Sequence, residues 1–330
     1  MPIRFRLIAS LAALALAASA APALAANAGF TVVQAADPRG APITVGIWYP
    51  TDAPAKPMKL GIGDQVVAPG APLVGDHLPL IVMSHGNGGF FGGHADTAQA
   101  LAEAGFVVAA LTHTGDNYAD QSRATDMPNR PRQLSVLIDY MLTASPMHAA
   151  IDPARVGAFG FSSGGFTVLV AAGAEPDLKT IAPHCEAHPD FFDCKLTAGH
   201  PLPADVSKAV WTHDTRIKAV VSAAPALGYS FSKAGLSKVT LPLQLWRAGN
   251  DEILPDPFYA SNVRANLPKA PDYQVVANAG HFDFLTPCND QGRATAAAIC
   301  GSAPGFDRAA FHKDFDREVV GFFKGSLGQP

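Results

Sequence analysis

Apolar residues recur along this chain in short unbroken runs, separated by amphipathic stretches and by polar, glycine-rich turns. Leu78 to Met83 and Phe106 to Leu111 are such runs, and Ile217 to Ala223 and Leu241 to Arg247 are further strand-like stretches, largely apolar. Their length and continuity predict strands covered on both faces. Two earlier segments, Phe30 to Gln34 and Ile43 to Tyr49, predict an opening hairpin. The second alternates around Val45, Ile47 and Tyr49 and is stopped by Pro50. Tyr273 to Ala277 predicts a last strand. Helical spacing appears between the runs: His94 to Ala104 closed by Gly105, Arg132 to Leu142 with Leu134, Leu137, Ile138 and Met141 on one face, Pro257 to Asn266, and Arg308 to Phe323. Alternating strands and helices imply an α/β architecture, a mostly parallel central sheet with helices on both faces.

Two stretches depart from that rhythm. Thr51 to Asp76 is rich in Pro, Gly and Asp and is expected to be a surface loop. Glu175 to Asp214 carries five prolines and two cysteines without a helix or strand period. It is expected to be an insertion over the mouth of a site, a lid.

One run leads into a different kind of turn. Val156 to Phe161 is apolar, passes through Gly160-Phe161-Ser162-Ser163-Gly164, and leaves at once into the helix-forming run Thr167 to Ala172. Strand, Gly-x-Ser-x-Gly and helix in that order form a nucleophile elbow, which lifts a serine hydroxyl above the sheet edge. The glycines two before and two after the serine are needed because a side chain there would clash in so sharp a turn. The helix that follows aims its free N–H groups and dipole at the place where an oxyanion would develop. Ser162 is therefore the candidate nucleophile.

A serine hydroxyl needs an adjacent base, and the base needs an orienting carboxylate. On this architecture they follow the serine in the order acid, histidine, each at the carboxyl end of a later strand. Asp251 follows Leu241 to Arg247 and a Gly-Asn turn; His281 follows Tyr273 to Ala277 and Gly280. Asp256 and Asp283 are the competing acids. Asp256 reads as a helix cap, and Asp283 lies two residues from His281, too near in sequence to face it. The oxyanion hole requires two backbone donors. They are expected from Ser163 and from Asn87, in the glycine-rich loop Ser84 to Phe91, with Gly88 as the alternative to Asn87. Phe90 and Phe91 beside that loop are candidates for a substrate subsite, and core packing would explain them equally. His85 is read as a structural hydrogen-bonding residue. His184, His188, His200 and His213, in or near the insertion, are expected to be solvated.

Composition narrows the classes. In 330 residues, 48% hydrophobic and 16% charged, the balance suits a large buried core. A formal net charge of −4 leaves no basic stripe, so nucleic acid is not an expected partner. At the N-terminus, Arg4 and Arg6 precede an apolar stretch from Leu7 to Ala18 and the small-x-small site Ala23-Leu24-Ala25. That is the form of a cleavable export signal over residues 1–25. The apolar stretch is shorter than the roughly 20 residues of a membrane-spanning helix, so no membrane span is expected in the mature chain. A single catalytic domain from 26 to 330, in the periplasm or outside the cell, follows. Four cysteines agree with an oxidising compartment. Local pairing, Cys185 with Cys194 and Cys288 with Cys300, is favoured over the other connectivities because each bond closes one loop. A zinc site using Cys185 with His184, His188 and His200 is the competing reading, and it lacks a Cys-x-x-Cys spacing.

Taken together, Ser84-His85-Gly86-Asn87-Gly88, the elbow at Ser162, Asp251 and Gly280-His281-Phe282 resemble the α/β-hydrolase superfamily over nearly all of the mature chain. More narrowly, the chain is similar to exported bacterial proteins grouped as predicted dienelactone hydrolases, which are similar to platelet-activating-factor acetylhydrolases. Ser162 stands where true dienelactone hydrolases use cysteine, and Phe161 stands where the acetylhydrolases usually carry histidine. The resemblance implies hydrolysis of a small-molecule or lipid-like ester through an acyl-enzyme, with no metal or organic cofactor. Amide hydrolysis or acyl transfer on the same triad, and a non-catalytic binding protein of the same fold, are the alternatives.

Overall fold

The computed structural model describes residues 27–204 and 206–328. The expected export signal lies outside the described residues. Ten strands form one sheet: β1 Asn27–Ala35, β2 Ile43–Thr51, β3 Lys56–Leu60, β4 Gly63–Pro69, β5 Leu78–Ser84, β6 Val107–Thr112, β7 Ile151–Phe161, β8 Ile217–Ala223, β9 Leu243–Ala248 and β10 Asp272–Val276. Their spatial order is β10-β9-β8-β7-β5-β6-β2-β1-β4-β3. From β10 to β6 every neighbouring pair is parallel; β2 is antiparallel to both β6 and β1, β1 pairs β4 in parallel, and β3 is antiparallel to β4.

Ten α-helices accompany them: α1 Ala95–Glu103, α2 Asn129–Thr143, α3 Ser163–Ala171, α4 Ile181–Ala187, α5 Phe192–Gly199, α6 Lys233–Leu236, α7 Ala260–Asn266, α8 Asp290–Thr295, α9 Ala297–Cys300 and α10 Arg308–Leu327. The sheet has a core on each face. Leu134, Leu137 and Ile138 of α2, Val168 and Leu169 of α3 and Val263 of α7 cover one side with Val82, Ala109 and Leu245. Ala98 and Leu101 of α1 and Phe315, Val319 and Phe323 of α10 cover the other with Ile81, Val108 and Phe159. Every residue of β5 is buried, which is why its sequence shows an unbroken apolar run rather than alternation. Gly105, at φ 99°, stops α1 with Phe106 N–H returning 3.1 Å to Leu101 O. Among the described residues no helix is long and apolar enough to cross a membrane.

Two expectations need correction. The segment from Thr51 to Asp76 is not a loop: residues 56–69 form the hairpin β3–β4, which adds to the sheet edge beside β1. Its Pro, Gly and Asp residues occupy the ends and exposed positions, while Gly63, Gln65, Val67 and Ala68 are buried. Gln65 accepts from Trp48 Nε1 at 2.8 Å, and this buried bond ties the hairpin to β2. The segment from Glu175 to Asp214 carries two short helices, α4 and α5, rather than an aperiodic strap. At seven and eight residues they are too short to display a helical period. The Cys185–Cys194 bond joins one to the other, and Cys288–Cys300 closes the second local loop.

Candidate active site

The carboxyl ends of the parallel strands gather the chemistry-bearing residues, as open α/β sheets do. Ser162 sits between β7 and α3 with φ 56° and ψ −119°, a left-handed conformation that a side chain adopts only under constraint. The constraint is close packing around the turn. A β-carbon on Gly160 would lie 2.0 Å from the Gly164 carbonyl oxygen, and one on Gly164 would lie 1.9 Å from the Ser84 carbonyl oxygen. No side chain fits at either position, so both glycines are required sterically while the strained dihedral falls on the serine.

Ser162 Oγ lies 3.1 Å from His281 Nε2, and His281 Nδ1 lies 2.9 Å from Asp251 Oδ2. Asp251 is held in turn. Its Oδ1 accepts from the backbone N–H groups of Ile253 and Leu254 at 3.1 and 2.7 Å, leaving Oδ2 for the imidazole. With Nδ1–H committed to a carboxylate, Nε2 of neutral His281 presents a lone pair to the hydroxyl. The imidazole ring also packs on Phe161, with centroids 4.7 Å apart. The competing acids are engaged elsewhere. Asp283 accepts from Gly280 N–H at 2.8 Å and Arg308 Nε at 3.0 Å, bracing the loop that carries His281. Asp256 pairs with Ser261 and Arg247.

The loop after β5 distinguishes Asn87 from Gly88. Gly88 N–H donates to Asp116 Oδ1 at 3.0 Å, whereas Asn87 N–H makes no hydrogen bond to the described residues. Ser163 N–H, at the start of α3, is similarly without a partner. Gly86 allows the loop to pass close to the serine: a β-carbon there would be 3.2 Å from Ser162 Cβ.

A polar network that the sequence did not disclose holds this loop. Asp116 and Arg130 are each 2% exposed and form a close ion pair. Asp116 also accepts from Asn87 Nδ2 at 2.7 Å. Arg130 donates to the His85 carbonyl and, through Nε, to Thr167 Oγ1 at 3.1 Å. One guanidinium thus joins the loop after β5 to the helix after Ser162. His113 N–H donates to His85 Nε2 at 2.9 Å, so the proton of the neutral His85 ring is on Nδ1 and goes to Gly86 O at 2.6 Å. Burial, reinforced by the Arg130 charge, pushes the His85 pKa down to about 4. His113 falls well below the usual imidazole range for the same first reason. It lies between Ser84 Oγ and Gln133 Oε1, each at 2.8 Å. The sequence signalled this network only through His85, read as a structural hydrogen-bonding residue, and Asp116 in a polar post-strand loop; nothing in the spacing pointed to Arg130.

A cleft of about 700 Å³ opens over Ser162 and His281. Its walls are mostly apolar and include Phe90, Phe91, Ile253, Phe282 and Leu285. The two phenylalanines of the loop divide their tasks. Phe91 packs towards Trp48, at 6.3 Å, and its ring fills the space a β-carbon on Gly46 would need. Phe90 meets Tyr118 edge-on at 5.9 Å on the cleft side. Tyr118, 74% exposed, and Phe192 of α5, 37% exposed, leave two aromatic rings open to solvent at the cleft. Phe192 brings the inserted segment to the cleft wall.

The histidines of that segment are not all solvated. His184 is 9% exposed and stacks face to face on Tyr229 at 3.6 Å, within a cluster that includes Phe191, Phe258 and Tyr259. Asp193 accepts from both tyrosine hydroxyls of that cluster, at 2.8 and 2.9 Å. Burial and this carboxylate push both phenols far above their ordinary range. Cys185 and Cys194 are bonded to each other and so offer no thiolate to a metal.

Comparison with known proteins agrees with this geometry. Residues 83–193 match the family described as PETase, PET hydrolase-like. The chain is 36% identical over 106 residues to a cutinase of Thermobifida alba, 31% of this chain and 33% of that one. It is also 36% identical over 84 residues to a bis(hydroxyethyl) terephthalate hydrolase of Streptomyces coelicolor, 25% of this chain and 24% of the relative. The matched stretch thus spans about a third or less of the length of these relatives. Among solved structures, a ferulic acid esterase from Streptomyces cinnamoneus superposes with a TM-score of 0.63 at 19% identity, over 94% of this chain and 92% of that one. With its mostly parallel sheet, its strand–serine–helix turn and this near full-length likeness in fold, the chain has the α/β-hydrolase fold.

Proposed function

We propose that the chain is an exported serine hydrolase that cleaves carboxylic esters through an acyl-enzyme. The observation that carries this reading is the continuous contact from Ser162 Oγ through His281 to Asp251, at 3.1 and 2.9 Å, on the floor of an apolar cleft. Ser162 Oγ attacks the ester carbonyl carbon while His281 Nε2 takes its proton. Asp251 keeps the imidazole tautomer and stabilises the imidazolium. The carbonyl oxygen, now negative, is received by the unpartnered N–H groups of Asn87 and Ser163. Collapse of the tetrahedral intermediate expels the alcohol, which takes the proton from His281. Water, deprotonated by the same nitrogen, then releases the acid and restores Ser162.

The relatives' names, a cutinase and a terephthalate ester hydrolase, favour esters over amides, and the cleft gives that preference a physical basis. A mostly apolar cleft bordered by Phe90, Tyr118 and Phe192 suits an apolar acyl group whose only polar demand is at the carbonyl. The two disulfides support export. The test is hydrolysis of p-nitrophenyl esters set against p-nitroanilides, with labelling by a fluorophosphonate probe. Ser162→Ala is expected to abolish labelling and lower ester turnover roughly 10⁴-fold or more with the fold intact. Undiminished turnover in that variant would end the proposal.

A further inference from the structure

On the face of the sheet opposite α3, the α1–α10 pair carries a second cluster that the reaction above does not use. Asp96 of α1 and His312 and Asp316 of α10 bring an imidazole nitrogen and two carboxylates within 4.8 Å of one another. His312 is 2% exposed. Its Nε2–H donates to the Asp283 carbonyl at 2.9 Å, which aims Nδ1 at the carboxylates. Asp96 Oδ2 lies at an ion-pair distance of 2.6 Å from that nitrogen, and His312 Nδ1 and both Asp96 oxygens are buried without a hydrogen bond to the described residues. Asp316 Oδ1 accepts from Thr97 Oγ1 at 2.6 Å, while its second oxygen makes no hydrogen bond within the described chain. A lone pair aimed at a carboxylate is repulsive unless a positive centre lies between them.

We propose that Asp96, His312 and Asp316 bind one divalent first-row cation of the Zn²⁺ type. One imidazole and two carboxylates suit zinc. The backbone carbonyl on the opposite ring nitrogen of His312 is the outer contact that orients metal-bound histidines. A solvent cleft of about 450 Å³, lined also by Asp64 and Asn289, reaches the three residues and leaves a coordination position for water. The cation would be structural and would act on the catalytic edge through one path. It fixes His312, His312 holds the Asp283 carbonyl, and the Asp283 carboxylate holds Gly280 N–H, beside His281.

The test uses untagged protein stripped with a chelator and then titrated with Zn²⁺ by calorimetry. One Zn²⁺ per chain is expected, with a rise in Tm that grows with Zn²⁺ concentration. Ca²⁺, which prefers oxygen ligands, is expected to bind at least roughly 10-fold more weakly. His312→Gln and Asp316→Asn should each weaken Zn²⁺ at least about 100-fold, the upper end of what loss of an outer contact alone would do. Since either variant could misfold, Co²⁺ added to the stripped wild-type protein gives an independent readout: visible d–d bands of a four-coordinate nitrogen–oxygen site, displaced by Zn²⁺. Absence of binding to the wild-type protein would overturn the proposal, because the positive centre would then be a proton on Nδ1. Unchanged affinity in folded variants, or Ca²⁺ binding as tight as Zn²⁺, would overturn it as well.

Discussion

Two polar clusters stand side by side at the carboxyl edge of the sheet, and they differ in completeness. In the cluster of Asp116, Arg130, His85, His113 and Gln133, both histidine rings, the carboxylate and the guanidinium meet partners inside the chain. In the cluster of Ser162, His281 and Asp251, the serine hydroxyl faces a cleft, and two nearby backbone N–H groups have no partner. Burial is similar in both, so burial does not separate scaffold from chemistry. Unfilled hydrogen-bonding capacity beside open space does, because a buried donor left unmatched is costly unless something arrives to meet it.

The comparison can be broken most severely at Asp251. Asp251→Asn keeps the shape but reverses the tautomer preference of His281, and kcat for a p-nitrophenyl ester should fall about 10³- to 10⁴-fold with Tm little changed. The matching change in the other cluster should do the opposite. Arg130→Met leaves Asp116 buried and unpaired, so stability should fall by about 3–5 kcal/mol, measured by denaturant unfolding. A large loss of kcat without loss of stability in Arg130→Met would erase the distinction drawn here.

The completed cluster should also make the fold acid-labile. His85 of that cluster, and His94, buried outside it against Phe159 and Phe161, have folded-state pKa values pushed down to about 4 and about 3 by burial, below the unfolded value near 6.5. The unfolded chain therefore binds more protons as pH falls, and stability that is full above pH 6.5 is lost progressively towards pH 4. For His85 alone the loss approaches about 3 kcal/mol; Tm measured from pH 7 to pH 4 should trace it. The smallest effect is expected at the cleft wall. Cys185→Ser with Cys194→Ser opens a loop of nine residues' separation and should cost about 2–3 kcal/mol on the chain-entropy model. Relative rates for bulky and small esters should then change more than the rate for the smallest.

Legibility in the sequence followed the same division. Ser162 and His281 were readable because each follows a strand and a glycine at a position the strand order demands; the Gly160 and Gly164 contacts explain why those glycines flank the serine. The core strands were readable because burial on both faces leaves uninterrupted apolar runs. Hairpin β3–β4 was hidden because one face is exposed and its turn residues dominate the composition. Arg130 was hidden because it lies on a helix whose apolar stripe reads the same with or without it, and its partners are 14 and 45 residues away. Helices α4 and α5 owe their placement to a disulfide and an aromatic cluster, neither of which leaves a periodic mark.

Each disulfide lies beside a residue of the cleft lining: Phe192 precedes Cys194 in α5, Ile299 precedes Cys300 in α9, and both Phe192 and Ile299 line the cavity. Neither bond lies in the sheet, the elbow or the turn that carries His281, so oxidation is expected to bear on these borders rather than on the contact between Ser162 and His281. Reactivity and selectivity therefore mature in separate stages. Material produced in a reducing cytosol would hydrolyse simple esters while discriminating poorly among large ones, and the redox history of a preparation becomes a variable in any measurement of substrate range.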